Sequence, residues 1–356
     1  MATQKIKVRG AKALIAKEVI PFTRQMASMT KAGMTILSTI QTLEEQSTNP
    51  EFKKVLRHLL TGIEGGVPLS AALKDVPQLF DDMYVHMVEA GEQSGKFEEI
   101  CERLALTLQS GARLRKKVKS AMTYPTVIIS IATIMALALI QFVVPIFAEM
   151  FNGFGKKLPA LTQALVDVSD FGKRWWYVII PGIIAAVWLF GAWKKTASGR
   201  LTFDEWMLKV PVFGQLNLKS GISRFCRIFA QMLNAGVPVL NAMDIVAGSI
   251  GNRRLEMSIR AARREVEQGN QISPSLGNKP YMPVLMTRMI AAGEKSGRVG
   301  EMLDSVADTY DDEVESTLST LTSLMEPFLM VFLGAVIGTI VLAMFMPIFN
   351  LGSLAK

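Results

Sequence analysis

The chain alternates between amphipathic segments with helical spacing and three long apolar stretches. From Ile20 onward, apolar residues recur at helical intervals, and few segments show the strict alternation of a β-strand. The first apolar stretch, Thr123–Phe147, contains no charged residue and is longer than the roughly 20 residues that a helix needs to cross a bilayer. The pattern predicts an all-α membrane protein, with two homologous helical-bundle domains and three transmembrane helices.

The first apolar stretch is repeated near the other end of the chain. Met325–Phe349 matches it over its whole length. The aligned residues include Pro125 with Pro327, Pro145 with Pro347 and Phe147 with Phe349. The position before the first proline differs, since it is Tyr124 in one copy and Glu326 in the other. We expect the Glu326 carboxylate to lie in water at the membrane surface, and a contact with a partner helix is the alternative.

The segments that precede these two spans are repeated as well. Phe22–Leu37 matches Phe225–Leu240, and the break after this helix falls at Gly33 in one copy and at Gly236 in the other. A Gly-Glu-x-Ser-Gly motif follows in each copy. Its residues are Gly91, Glu92, Ser94 and Gly95 in the first copy and Gly293, Glu294, Ser296 and Gly297 in the second. Two such motifs before two matching spans indicate an internal duplication.

Caps and glycines predict the helix boundaries in both copies. Asn49, followed by a proline and an acidic residue, is typical of a helix start, and Asn252 repeats this cap. The Gly-Glu-x-Ser-Gly motif is expected to form a turn, since glycine tolerates positive φ and the serine can cap the next helix. The glutamates either satisfy local backbone donors or form a docking surface for a partner. We favour the structural interpretation.

The duplication constrains how the chain crosses the membrane. Two equivalent domains belong on the same side, so the chain must return once between them, and Trp175–Trp193 is the apolar stretch available. Its terminal tryptophans are typical of membrane interfaces. A basic cluster before the first span predicts that both domains are cytoplasmic and suits contact with lipid phosphates. The cluster consists of Arg113, Arg115, Lys116, Lys117 and Lys119.

Together, the duplication and the three spans predict a division of the chain into consecutive segments. They are a basic flexible N-terminus (1–17), a first cytoplasmic helical domain (18–121), a first span (122–147), an outside loop with one short amphipathic helix (148–174), a second span (175–193), a cytoplasmic linker (194–220), a second cytoplasmic helical domain (221–324), a third span (325–349) and an outside tail (350–356), and the family resemblance described below implies that outside means the periplasm.

Small residues recur at corresponding positions of the first and third spans. Gly334 and Gly338 are one helical turn apart, and their counterparts Ala132 and Ala136 are also small. Small residues at this spacing let membrane helices approach closely. We expect a packing face here, although small residues are also common in spans without such a role.

Charge and composition point to no catalytic site. The net charge is +8, but the basic residues cluster beside the spans without a nucleic-acid-binding motif. No G-x-x-x-x-G-K-[ST] loop is present for ATP. His58 and His86 lack partners at metal-ligand spacing, and Cys101 and Cys226 are expected to be reduced core thiols. We predict no enzyme activity, no cofactor, no metal and no nucleic-acid partner.

Several of these motifs together resemble the PilC/GspF family of inner-membrane platform proteins. They are the duplicated domain, the two Gly-Glu-x-Ser-Gly motifs, the Tyr-Pro and Glu-Pro span starts, the Asn-Gly-Phe-Gly…Leu-Pro loop, the Val-Pro-Val-Phe-Gly linker and the ending MEPFLMVFLGAVIGTIVLAMFMPIFNLG. The resemblance covers about residues 20–352, and the details look closer to the type IV pilus branch than to the type II secretion branch.

The resemblance implies a non-enzymatic platform in the bacterial inner membrane, with most of its mass in the cytoplasm. Its partners would be a cytoplasmic hexameric assembly or retraction ATPase, pilin subunits, inner-membrane alignment proteins, lipids and further copies of itself as a dimer or tetramer. A type II secretion platform is the alternative within the family. A small transporter or channel is the alternative of another class, but the middles of the spans carry no charged residue of the kind that ion pathways use. A membrane-tethered scaffold without a filament is a further alternative.

Overall fold

The computed structural model describes residues 8, 10–153 and 159–352. Within these residues all regular structure is helical and no strand occurs, which confirms the all-α prediction. The first repeat contains α1 (Ala11–Leu14), α2 (Ile20–Lys31), α3 (Ile36–Gln46), α4 (Pro50–Glu64), α5 (Leu69–Leu73), α6 (Asp82–Ser94) and α7 (Phe97–Ala138). It is followed by α8 (Val144–Gly153), α9 (Ala160–Lys195) and α10 (Ala197–Lys209). The second repeat contains α11 (Phe213–Asn234), α12 (Val239–Ser249), α13 (Arg253–Glu267), α14 (Ile272–Gly277), α15 (Val284–Ser296) and α16 (Val299–Gly352).

Asparagine caps start the same helix in both repeats, as the sequence predicts. The Asn49 side chain accepts hydrogen bonds from the backbone N–H groups of the first turn of α4, at 3.1 and 3.3 Å. Asn252 does the same at the start of α13, at 2.9 and 3.2 Å. Each cap satisfies amide groups that have no partner within the helix.

The core of the first repeat is built around aromatic side chains. Phe22 on α2 contacts Phe52 on α4 and Phe80, with ring centroids 5.7 and 6.2 Å apart. Tyr84 is fully buried against Phe80, and its hydroxyl shares a 2.9 Å hydrogen bond with Thr23. The hydroxyl of this buried tyrosine is therefore satisfied, as a buried polar group needs to be.

The chain forms two compact units. The bundle unit comprises the residues up to Lys116 together with Asp204–Glu315, and so contains the helical parts of both repeats. The span unit comprises Lys117–Phe203 and the residues from Ser316 onward. Three helical stretches of the described residues are long and apolar enough to cross a membrane, as expected: Phe97–Phe147, Ala160–Lys195 and Val299–Met346.

The N-terminal segment departs from the predicted flexible lead at 1–17. Residues 1–7 and 9 lie outside the described residues, but α1 and the π-helical segment Ile15–Val19 carry the chain into α2 without a break. Leu14 is buried, and the backbone N–H of Val8 donates to the Gln78 side chain at 3.0 Å. The basic residues of this segment favoured the prediction of a flexible lead. Its apolar side chains, however, are spaced along a helix and anchor the segment.

The predicted loop and linker are mostly helical. The short amphipathic helix expected within 148–174 is instead the first half of α9, since no proline separates Ala160 from the second span. The linker predicted at 194–220 holds α10 and the start of α11. Asp204 ties α10 to the second repeat, because its carboxylate accepts from the backbone N–H of Arg253 at 2.7 Å. The loop residues 154–158 and the tail residues 353–356 lie outside the described residues.

Candidate functional site

The glutamate of the repeated motif caps a short helix in its own repeat. The Glu92 carboxylate accepts hydrogen bonds from the backbone N–H groups of Leu69 at 2.7 Å and Ser70 at 3.3 Å, and from the Ser70 hydroxyl at 2.5 Å. These amides open α5, whose own N-cap position is Pro68 and offers no capping side chain. A negative charge at this end is favoured by the helix dipole as well as by the hydrogen bonds.

The second repeat contains the same arrangement. Glu294 accepts hydrogen bonds from the backbone N–H groups of Ile272 at 2.5 Å and Ser273 at 3.1 Å, at the start of α14. The N-cap residue of α14, Gln271, makes no side-chain capping hydrogen bond. Both motif carboxylates are therefore engaged by the backbone of their own repeat.

The motif is less of a turn than the sequence predicts. Gly91, Glu92 and Ser94 belong to α6, and the chain leaves the helix only at Gly95, whose φ is 69°. Gly293, Glu294 and Ser296 likewise belong to α15, and Gly297 has a φ of 71°. The Ser94 hydroxyl donates to the carbonyl of Ala90 at 2.7 Å within the same helix. The prediction of a five-residue turn was wrong because the first glycine of the motif is tolerated inside a helix, and only the last glycine, with its positive φ, ends it.

The first glycine of each motif permits a close approach between helices. A side chain at Gly293 would meet the backbone of Val299 at 2.7 Å, and one at Gly91 would meet Phe97 and Ile100 at 3.2 Å. Gly33 and Gly236, which follow α2 and α11, adopt left-handed φ values of 86° and 81° instead. Their requirement for glycine is conformational, because nothing lies within 4 Å of an added side chain there.

The residues at the start of the two matching spans are integrated into long helices. Pro125 is buried within α7, whereas Tyr124 beside it is exposed. In the third span, Glu326 and Pro327 are both exposed on α16. Both positions considered for the Glu326 carboxylate, in water at the membrane surface and in contact with a partner helix, stay predictions.

Gly334 and Gly338 of the third span make no close contact with another helix among the described residues. A side chain added at Gly334 or Gly338 would meet no described atom within 4 Å, and both positions are accessible. Their counterparts Ala132 and Ala136 are half-buried. Among the described residues, the helices of this chain do not approach each other at these glycines.

The proline near the end of the first span is accommodated by a change of helix type. Pro145 has no N–H for the carbonyl of Gln141, which lies four residues earlier. The backbone widens there into the π-helical segment Leu139–Val143, in which the N–H of Val144 bonds to the carbonyl of Leu139. A local π-segment redistributes the hydrogen bonds that the proline disturbs.

The matching proline of the third span is accommodated by another helix. Pro347 deprives the carbonyl of Ala343 of its usual donor. The Thr162 hydroxyl on α9 donates to this carbonyl at 2.5 Å, and both Thr162 and Ala343 are buried. Only the backbone at Pro347 is described. The sequence did not predict this role of Thr162, because its partner Ala343 is far away in the chain. The only signal was that Thr162 lies shortly before the second span.

The two repeats pack against each other within the bundle unit. The Thr107 hydroxyl on α7 donates a short hydrogen bond to the side-chain oxygen of Gln231 on α11, and α6 contacts α12. A cavity of about 710 Å³ lies between the repeats. Its lining includes Met83 from the first repeat together with Arg224 and Ile228 from the second. None of the repeated motifs signals this contact.

One arginine of the second repeat lies in an acidic environment. Arg227 on α11 contacts Asp308 and Asp311 on α16 at 2.8 Å each, and Asp304 at 4.0 Å. Partial burial works to lower the pKa of Arg227, but hydrogen bonds to Asp308 and Asp311 outweigh it and keep the guanidinium charged. The Asp304 carboxyl has a raised pKa because burial outweighs the effect of Arg227. The cluster fastens α11 to α16 within the second repeat.

The basic cluster before the first span is exposed. Arg113, Lys116, Lys117 and Lys119 all lie on the surface of α7, and the side chain of Arg115 is not among those described. Exposed cations in this position can meet lipid phosphates. Their role in topology stays a prediction.

The histidines and cysteines of the described residues lie apart from one another. No group of three His, Cys, Asp or Glu side chains comes together among them. His58 contacts Asp75 and His86 contacts Glu89, each at 3.1 Å. Cys101 and Cys226 are both buried and free.

Comparison with known proteins identifies the duplication in the same place. The family model for type II secretion system (T2SS), protein F matches the chain twice, over residues 22–145 and 225–347. Each match spans one helical repeat and the apolar stretch that follows it.

Similar proteins are known from several bacteria. The chain is 37% identical over 346 residues to the type IV pilus assembly protein PilC of Myxococcus xanthus. This alignment covers 97% of this chain and 83% of that protein. It is also 37% identical over 356 residues to PilC of Pseudomonas aeruginosa, covering 98% and 95%. Type II secretion system protein F of Vibrio cholerae is 31% identical over 333 residues, covering 93% and 82%.

Proposed function

The chain belongs to the family of type II secretion system protein F, and from this premise we propose that it is an inner-membrane platform for assembly of a type IV pilus. The observation that carries the choice is the similarity over nearly the full chain to proteins named PilC, at 37% identity. The secretion protein of Vibrio cholerae is 31% identical. The family is one of non-catalytic assembly proteins, so the platform would act by binding and positioning other subunits.

A platform of this kind needs an external source of energy. Drawing an apolar pilin helix out of the bilayer gives up about 0.8 kcal/mol for each buried CH₂ group, and the sequence contains no phosphate-binding loop. We therefore propose a cytoplasmic hexameric ATPase as the motor, with pilins and alignment proteins as further partners. Both repeats would lie in the cytoplasm, and loop 148–174 would lie in the periplasm.

The helices that lead into the spans support transmission of movement. The 54 residues of α16 form one continuous helix, about 80 Å long at 1.5 Å per residue. In the first repeat, α7 continues through its π-helical segment into α8. Movement that a motor imposes on either repeat would pass along an unbroken helix to the matching span.

The second candidate is the platform of a type II secretion system. It rests on the family model, which carries that system's name, and on the relative from Vibrio cholerae. The two candidates predict different losses when the gene is deleted. Loss of surface pili with normal protein export supports the pilus platform, whereas loss of export with normal pili supports the secretion platform.

Docking of the motor is tested on surface charges beside the motif. Lys295 and Arg298 are exposed at the end of α15, and Arg264 is exposed on α13. If the motor docks beside the motif, Lys295→Glu with Arg298→Glu should abolish co-purification of the ATPase from solubilised membranes, and Arg264→Glu should not. Co-purification of the ATPase with the double variant Lys295→Glu, Arg298→Glu would place the docking surface elsewhere. ATP hydrolysis by the purified chain alone would contradict the proposal that a separate ATPase supplies the energy.

A further inference from the structure

The buried part of the cavity between the two repeats is lined by apolar side chains. They include Val19, Leu79 and Met83 from the first repeat and Ile228 from the second, each no more than 4% exposed. Contact between water and apolar surface of this kind is unfavourable. The buried part of the cavity therefore favours an apolar guest.

The polar groups beside this apolar lining already have partners within the chain. The Ser223 hydroxyl donates a hydrogen bond to the Asp311 carboxylate, and Arg227 donates to the same carboxylate at 2.8 Å. The Tyr84 hydroxyl is paired with Thr23 at 2.9 Å. Because these groups are satisfied, a guest in the buried part gains most from apolar contact and little from polar groups of its own.

The opening of the cavity is polar and carries both signs of charge. Asp81 and Ser110 are exposed lining residues, and Ser220 and Arg224 are half-buried ones. The Asp81 carboxylate accepts a hydrogen bond from the backbone N–H of Tyr84 at 2.9 Å, and a carboxylate has room for further donors. The opening thus offers a carboxylate, a guanidinium and two hydroxyl groups beside an apolar interior.

One wall of the cavity belongs to the helix that continues into the first span. Gly111, Ala112 and Leu114 on α7 line the cavity, and the apolar stretch begins at Thr123 on the same helix. The nine residues from Leu114 to Thr123 correspond to about 14 Å along the helix axis. Membrane lipids are therefore the amphiphiles that a chain with three spans brings closest to this cavity.

We infer that the cavity binds one zwitterionic aminophospholipid of the phosphatidylethanolamine type. An acyl chain lies against Met83 and Ile228. The phosphate accepts hydrogen bonds from Arg224 and Ser220, and the ammonium group donates to Asp81. A guanidinium suits a phosphate, and a carboxylate suits an ammonium group, so the zwitterion matches both charges at the opening. The inference stands on the geometry of the bundle unit and does not depend on the proposed function.

Native mass spectrometry of the full-length protein tests the site. The protein is solubilised in a mild detergent, and phosphatidylethanolamine is added. Ala112→Trp fills the cavity from α7 and should carry one bound lipid fewer than the parent chain. Gln109→Trp, at a half-buried position of the same helix outside the cavity lining, should carry as many as the parent. Equal numbers for Ala112→Trp and the parent would overturn the inference.

A second variant tests the head group without changing the volume of the cavity. Asp81→Asn keeps an oxygen for the backbone N–H of Tyr84 but removes the charge that binds the ammonium group. The affinity for phosphatidylethanolamine should fall about tenfold, the lower end for a hydrogen bond to a charged group. The affinity for phosphatidylglycerol, which has no ammonium group, should not fall. Asp82→Asn, at the exposed neighbouring position, is the matched control and should change neither affinity.

Two results of these titrations would contradict an aminophospholipid. Equal affinities of the parent chain for phosphatidylethanolamine and phosphatidylglycerol would show that the paired charges do not select the head group. Binding of water-soluble phosphoethanolamine as tightly as the lipid would show that the apolar interior holds no acyl chain.

Discussion

Glu92 and Glu294 each hold the first amides of a short helix, and we predict that removing either carboxylate destabilises its repeat. Glu92→Ala leaves the N–H groups of Leu69 and Ser70 without their acceptor. The expected loss is about 1–2 kcal/mol, the usual range for a lost cap or charged hydrogen bond. Thermal unfolding of the full-length protein in detergent measures it. Gln93→Ala, an exposed neighbour on α6, is the matched control, and equal melting of the two variants would contradict the cap.

The two buried cysteines give a prediction that depends on pH. Burial raises the pKa of Cys101 to about 12 and that of Cys226 further still, from an ordinary value of 9.0. Because the thiolate is the reactive form, neither residue should react with iodoacetamide in the folded protein at pH 7 or pH 9. Both should react in guanidinium.

The same shift affects stability in the alkaline range. Above about pH 9 the unfolded thiols ionise while the folded thiols stay protonated, so the free energy of unfolding should fall as pH rises. Replacing both cysteines with alanine should reduce this dependence. An unchanged dependence would assign the alkaline loss to other groups.

Some of these residue roles could be predicted from sequence and others could not. The caps at Asn49 and Asn252 follow from local rules, because donor and acceptor lie within a few residues. The partners of Glu92 lie more than twenty residues away, in a separate helix. A repeated motif shows that its glutamate matters, but only the folded chain shows which amides it holds.

At the scale of helices, the third span depends on a hydroxyl from α9. Thr162→Val removes the donor to the Ala343 carbonyl and leaves that carbonyl buried without a partner. We expect a loss of about 1–3 kcal/mol. Pro347→Ala restores an N–H for the same carbonyl, so the double variant should recover most of this loss. A double-mutant cycle measured by thermal unfolding gives the coupling, and additive effects would contradict the shared carbonyl.

The helix boundaries show where pattern reading succeeds and fails. The three spans are found correctly, because an uncharged stretch of this length is a strong signal. The extents of α9 and α10 are not predicted correctly. Polar residues between Ala160 and the second span favour a loop in the sequence, although nothing there ends a helix. The close contact predicted at Gly334 is also absent from the described structure, since small residues permit close packing without requiring it.

At the scale of the whole molecule, the duplication organises the chain. The sequence alone reveals it, because motif, cap, proline and span all recur in the same order. The packing of one repeat against the other lies beyond sequence reasoning, since Thr107 and Gln231 are far apart in the chain and both lie outside the Gly-Glu-x-Ser-Gly motifs.

Labelling of single cysteines in intact cells tests the central claim that both repeats face the cytoplasm. Ser94 and Ser296 are exposed at equivalent motif positions, and Lys157 lies in the loop predicted to be periplasmic. A membrane-impermeant maleimide added to intact cells should label Lys157→Cys and should reach Ser94→Cys and Ser296→Cys only after the cells are permeabilised. Labelling of just one of the two motif positions in intact cells would contradict the account, because the repeats would then lie on opposite sides of the membrane.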